Sequence, residues 1–299
     1  MTGRIHDLGY QRYVGTRRPP STRWIVIMRH QIATAWKTWW RYKTAIALAV
    51  IVTFVFGGYM YFSSEAMSRL ATLGGGGLLK WVDAALPQAI ENYCRVAFYV
   101  TLTIGAGAIA GDVQTGAFTF YFARSVRPRD YVLGKLVGFA TLVGAITIGG
   151  PLVLALIRLG VCDSWDEVVA HLSIVPEALA VGVLATLVYA TVPLAFSALV
   201  PNRRTALALW AAYYLVFGAI AQRVGATSGG EYAMIDLLAA VRTVGYHLFG
   251  IAPARGWGSH WGQPVGAALV SIGIHSALAI SIVWWRVTQA QKAGVGGAS

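Results

Sequence analysis

The stretch from Thr44 to Phe62, TAIALAVIVTFVFGGYMYF, runs without a single charged side chain. An α-helix crosses the hydrocarbon core of a bilayer in about 20 residues, so this run has both the length and the composition of a membrane span. It closes on Tyr59, Tyr61 and Phe62, rings of the kind that collect at the lipid–water interface. The rest of the chain has the same character. Of 299 residues, 57% are hydrophobic and only 12% charged, and the mean hydropathy is +0.59. That composition excludes a water-soluble fold, a disordered chain and a soluble enzyme. The 34 glycines suit close helix packing, and the 11 tryptophans and 14 tyrosines suit the two interfaces.

Upstream of this stretch the pattern changes. Between Ser21 and Lys43, the apolar residues Ile25, Met28, Ile32, Trp36 and Trp39 recur at three- and four-residue steps, while His30, Thr34, Lys37 and Arg41 form a polar stripe. The spacing predicts an amphipathic helix over 21–43, lying in the headgroup layer and starting near Pro20. Residues 1–20 carry Arg4, Arg12, Arg17 and Arg18 and read as a solvated basic tail against anionic lipid. This start is too polar for a signal peptide, so the first span is expected to stay as an anchor.

Downstream, further apolar stretches lie at about 93–110, 136–157, 175–200, 206–223 and 264–285. The expected fold is therefore an all-α integral membrane protein with six transmembrane helices over 44–285 and a tail over 286–299. Glu91 and Arg95, at i and i+4, are positioned to pair on one helix face. Pro201, Asn202, Arg203, Arg204 and Thr205 force a tight basic turn. With the N-terminus inside, segments 1–43, 111–135, 201–205 and 286–299 hold 17 basic residues against 7 elsewhere. This bias predicts that both termini are cytoplasmic, in a multi-pass protein of the cell (inner) membrane. The net charge of +12 is then a topology signal; the basic residues flank spans, so nucleic acid is not an expected partner.

Catalytic and metal-binding patterns are missing. Gly134–Lys135 is followed by Leu136, so it is no phosphate-binding loop, and GxSxG and HExxH do not occur. Cys94 and Cys162 lack metal-ligand spacing. No catalytic residue, resident metal or cofactor of its own is expected. His275 stands alone in the last span, as a packing or hydrogen-bonded residue. Arg95, Arg158, Glu177 and Arg223 fall near the outside ends of spans, where long cations snorkel. Glu177, just after Pro176, is the candidate pathway residue, because a carboxylate reaches less far. The carboxylates Asp163, Asp166 and Glu167 read as solvated. Gly74 to Gly77 predict a mobile outside loop. Met234, Leu237, Leu238 and Val241 predict a re-entrant or interfacial helix.

One connection is not an ordinary loop: Gly111 to Lys135, GDVQTGAFTFYFARSVRPRDYVLGK. It is aromatic, then basic, and Pro128 disfavours helix at Arg127. Aromatic knobs beside arginines are built to dock a cytoplasmic partner, although a basic loop lying on lipid has the same composition. Asp112, Gly116, the run Phe118 to Phe122, Arg124–Ser125, Arg127–Pro128–Arg129 and Tyr131 to Lys135 resemble the cytoplasmic coupling element of type-two ABC exporter permeases. In that family Glu is common where Asp112 stands, and Thr follows the glycine where Ala117 stands here. The resemblance extends along the whole chain and is nearest to the sodium, antibiotic and copper-maturation permeases.

The resemblance implies a permease that pairs with a second copy of itself or a related permease and binds two cytoplasmic ABC ATPase subunits, which supply ATP and Mg. Its coupling residues would be Asp112, Gly116, Phe118, Phe120, Phe122, Arg124, Arg127 and Arg129. Membrane lipid and an accessory subunit complete the expected partners. Small-residue contacts at Gly107–Gly111 and Gly134–Gly138 fit a helical bundle. The alternative is a non-transporting membrane scaffold that anchors a partner at the same surface. An ion-coupled secondary transporter would need broken helices and mid-membrane carboxylates, and the spans predict neither clearly.

Overall fold

The computed structural model describes residues 19–37, 39–71, 79–123, 126–251 and 265–296. The basic tail before Pro19, the Gly74–Gly77 run and Arg124–Ser125 lie outside the described residues. The protein is all-α, with no strand among the described residues. Among the described residues, six helices are long and apolar enough to cross a membrane: span 1 (Trp40–Ser63), span 2 (Ala84–Gln114), span 3 (Pro128–Gly160), span 4 (Trp165–Leu199), span 5 (Arg203–Ser228) and span 6 (Val265–Lys292). Most exceed the apolar windows because a helix continues past a charge that has a partner. In span 2, Glu91 accepts from Arg95 at 2.5 Å and lies 3.9 Å from Arg242. Span 3 starts at Pro128, where the missing N–H costs nothing, and Asp130 accepts the Arg127 backbone N–H at 3.2 Å.

The N-terminal helix (Arg23–Lys37) lies along the start of span 3. A Cβ on Gly134 would stand 2.6 Å from Ile27 Cβ, and one on Gly138 3.2 Å from the Met28 backbone. The Gly134–Gly138 pair thus seats this helix within the chain. The buried line on the helix is Ile27, Gln31 and Ala35, not the predicted Ile25–Met28–Ile32–Trp36 face, of which Trp36 is exposed. The notches left by Gly134 and Gly138 take up the Ile27 and Gln31 side of the helix, and Trp36 stays exposed.

Span 4 is the centre of the bundle and packs against spans 2, 3, 5 and 6. Gly182 lets it approach span 3: a Cβ there would meet the Thr147 carbonyl oxygen at 2.5 Å. Tyr93, Phe139, Leu142 and Tyr189 fill the core around it.

Contrary to the sequence expectation, several spans are interrupted. Span 2 passes through a π-helical stretch at Thr101–Gly105 and turns at 106–109, and span 5 has a π-helical stretch at Ala212–Phe217. Irregular backbone at this depth is tolerated only where protein satisfies it. Ser197 Oγ accepts the N–H groups of Ile109 and Ala110, both at 2.9 Å. Lys135 donates to the Ala108 carbonyl at 2.8 Å and Arg203 to that of Thr103 at 3.1 Å. Beside them, Trp210 Nε1 donates to Thr101 Oγ1 at 2.8 Å.

At the opposite end of the bundle, helix Leu237–Leu248 is capped by Asp236, which accepts from the Leu238 N–H at 3.1 Å. It packs on spans 2, 4 and 6, with Met234, Leu237 and Val241 buried.

Candidate functional site

The connection between spans 2 and 3 is built around Asp112. Its Oδ2 accepts from the Tyr131 hydroxyl at 2.6 Å and from Lys135 Nζ at 2.8 Å. The ammonium, already bonded to Ala108, also lies 5.5 Å from the centre of the Tyr131 ring. One carboxylate therefore ties the end of span 2 to the start of span 3. With both charged side chains largely buried, the pair is worth more than a surface salt bridge, and either partner alone would be costly.

From this lock the chain turns at Gly116, where φ is +68°, a left-handed conformation that glycine adopts without strain. The Thr119 hydroxyl and N–H then both bond the Gly116 carbonyl and start the short helix Ala117–Ala123. Phe118 and Phe122, one turn apart, stack at 5.6 Å, and Phe118 meets the Tyr131 ring edge-on at 5.1 Å. These two rings brace the helix against the lock. Burial, and then the Asp112 charge, raise the pKa of the neighbouring Tyr121 phenol. Phe120 points the other way and is 73% exposed. Arg127 and Arg129, at the start of span 3, are also exposed, with Arg129 Nε 3.8 Å from Asp130.

Of the eight residues predicted here, Phe120, Arg127 and Arg129 are exposed. Phe118, Phe122, Asp112 and Gly116 position the helix that carries Phe120, and Arg124 lies outside the described residues. Tyr131 and Lys135, the ends of the closing motif but not among the predicted coupling residues, carry the lock. Their i, i+4 spacing on one helix face was the available signal.

A family model described as ABC-2 family transporter protein matches residues 36–249, which take in spans 1 to 5 and the lock. The chain belongs to this family. It is a permease component of an ABC transporter, and membership implies a partner ATP-binding subunit. No curated protein matches the chain.

Glu177 sits at the other end of the permease, half-buried in the first turn of helix Ile174–Leu199, a position favoured by the helix dipole. It makes no ion pair among the described residues, and the structure does not bring it to the lock. Arg158 does not snorkel to solvent. It is 6% exposed, with guanidinium nitrogens 3.8 Å from Glu167, 3.3 Å from His171 Nε2 and 3.6 Å from Cys162 Sγ. Glu167 is therefore more than a solvated carboxylate.

Cys162, Glu167 and His171 bring ligand atoms within 4.8 Å of one another, a set that could hold a metal ion and that the sequence does not signal. The Arg158 cation already stands among them, which opposes a second cation. Burial, and then the Glu167 charge, raise the Cys162 pKa and keep it a thiol near neutrality. His275 in span 6 is hydrogen-bonded on both sides, to the Tyr213 hydroxyl at 2.7 Å and the Ser271 carbonyl at 2.7 Å.

Proposed function

We propose that this permease is the transmembrane subunit of an ATP-driven exporter of the sodium, antibiotic and copper-maturation kind. It pairs with a second permease copy in the inner membrane, with the lock and both termini on the cytoplasmic side. Two ATPase subunits dock on Phe120, Arg127 and Arg129 and hold the ATP and Mg between them. The observation that carries this reading is an exposed aromatic knob, Phe120, on a helix whose other face is fastened to spans 2 and 3, with the exposed arginines Arg127 and Arg129 where the same connection enters span 3. A force applied to helix Ala117–Ala123 passes through Phe118 and Phe122 to Tyr131, and through Asp112 and Lys135 to both spans. Closure of the ATPases thereby shifts the two spans together and changes access to the path between the permease copies.

The test is the Arg127→Glu, Arg129→Glu double variant in the native complex. Both residues are exposed, so the permease should fold normally. Co-purification of a soluble ATPase and permease-dependent ATP hydrolysis should fall by roughly tenfold or more, as expected for reversing charge at a docking surface. Unchanged co-purification and hydrolysis would overturn the docking role and favour the scaffold reading.

A further inference from the structure

A cavity of about 170 Å³ lies between the N-terminal helix and the bundle, lined among others by His30, Gln31, Arg41, Asp112, Lys135 and Arg203. Its charges do not cancel. Asp112 is the acid on its wall and is taken up by Lys135, which leaves Arg41 and Arg203. Arg203 lies flat on span 2, where a Cβ on Gly107 would stand 2.5 Å from its Nε, and its bond is to a neutral carbonyl. Arg41 makes no ion pair among the described residues. Gln31 is 6% exposed, and neither its amide nitrogen nor its oxygen has a hydrogen-bond partner. Burying an unpaired amide costs about 1–3 kcal/mol, so this amide, at the wall of a cationic cavity, has a donor to offer an anion that enters.

The level of the cavity narrows the choice of ligand. Its walls come from the start of span 1, the end of span 2, and the starts of spans 3 and 5, all at one end of the bundle, where phospholipid headgroups lie. Arginine forks match phosphate oxygens in pairs, and the glutamine amide adds a further donor. We infer that this cavity binds a phosphate group, on an anionic lipid headgroup or as free phosphate, and that the bound anion fastens the N-terminal helix to spans 2, 3 and 5. The inference does not depend on which partner docks at Phe120.

The full-length protein in detergent, titrated separately with phosphatidylglycerol, phosphatidylcholine and inorganic phosphate, tests this by thermal unfolding. Phosphatidylglycerol should raise Tm by several degrees beyond phosphatidylcholine, as expected for a ligand bound only to the folded state. A rise with phosphatidylglycerol alone identifies the lipid headgroup, and a rise with inorganic phosphate as well identifies phosphate itself as the ligand.

Gln31→Leu removes the unpaired amide, so its Tm in phosphatidylcholine should equal or exceed that of the native chain, whereas half-saturation by phosphatidylglycerol should need about tenfold more lipid, the loss of one hydrogen bond to a charged group. Arg41→Gln, altering a half-exposed residue, should show the same loss of response. Equal responses to the two lipids, or an unchanged response in both variants, would overturn the inference.

Discussion

The two ends of the bundle handle charge in opposite ways. At the end holding helix Leu237–Leu248, Glu91 lies between Arg95 and Arg242, Arg158 is enclosed by Glu167, His171 and Cys162, and Asp236 is held by Gln222 and the Leu238 N–H. These charges are taken up internally, and Glu177 is the exception at this end. At the end holding the lock, Asp112 pairs with Lys135 and Asp130 lies near Arg129, while Arg41, Arg203, Arg127 and the Gln31 amide face a cavity or solvent. A surplus of donors on one end marks the surface that meets other molecules, and a balanced end marks one that holds shape.

The largest expected effect breaks the lock. Lys135→Met leaves Asp112 as a mostly buried unpaired charge and should cost about 3–5 kcal/mol, seen as a fall in Tm in detergent. Adding Asp112→Asn should restore most of it, because the neutral amide still accepts from Tyr131. A single variant as stable as the parent would mean that the pair is solvated. At the balanced end, Arg158→Met should cost about 2 kcal/mol through lost bonds to Glu167 and His171. Partner-dependent ATP hydrolysis in membranes should be unaffected once the protein is folded. A coupling defect there would show that the far end is not merely structural.

Phe120→Ala sharpens the comparison in the other direction. Its folding should change by less than about 0.5 kcal/mol, because the ring is exposed. Co-purification of the ATPase should weaken about tenfold, the loss expected for an interface aromatic. The smallest effect concerns Asp236, whose pKa burial raises above the ordinary carboxylate value. A raised folded-state pKa means a contribution present below the unfolded pKa and lost as pH rises through the folded one. Near neutrality the ionised side chain is a cost. Asp236→Asn should therefore raise Tm slightly at pH 7, by less than about 1 kcal/mol, and flatten the dependence of Tm on pH above pH 4. Gln222 can turn its unpartnered Oε1 towards the new amide. A lower Tm at pH 7 would show that the anion itself is needed.

The spans were legible because hydropathy is a property of neighbouring residues, and Thr44–Phe62 needs no tertiary context. The segment between spans 2 and 3 stood out for the same reason: aromatic, basic and proline residues fall within a few positions. Gln31 was not, because a glutamine at helical spacing reads as polar face until Gly134 and Gly138 show which side is packed. Nor were the interruptions in span 2, whose freed groups are satisfied by Ser197 and Arg203, far along the chain. Arg158 looked like a snorkelling cation because its partners lie beyond a turn. Each omission concerns a polar group whose satisfaction is non-local.

The seat of the N-terminal helix has a consequence for biosynthesis. Ile27 is made roughly a hundred residues before Gly134, the glycine it packs against. At synthesis rates of about 5–20 residues per second, the helix exists for roughly 5–20 s before its groove does. During that interval its only apolar resting place is the bilayer surface, to which Trp36 and Trp40 are suited. The helix takes its final place only after the third span has been made.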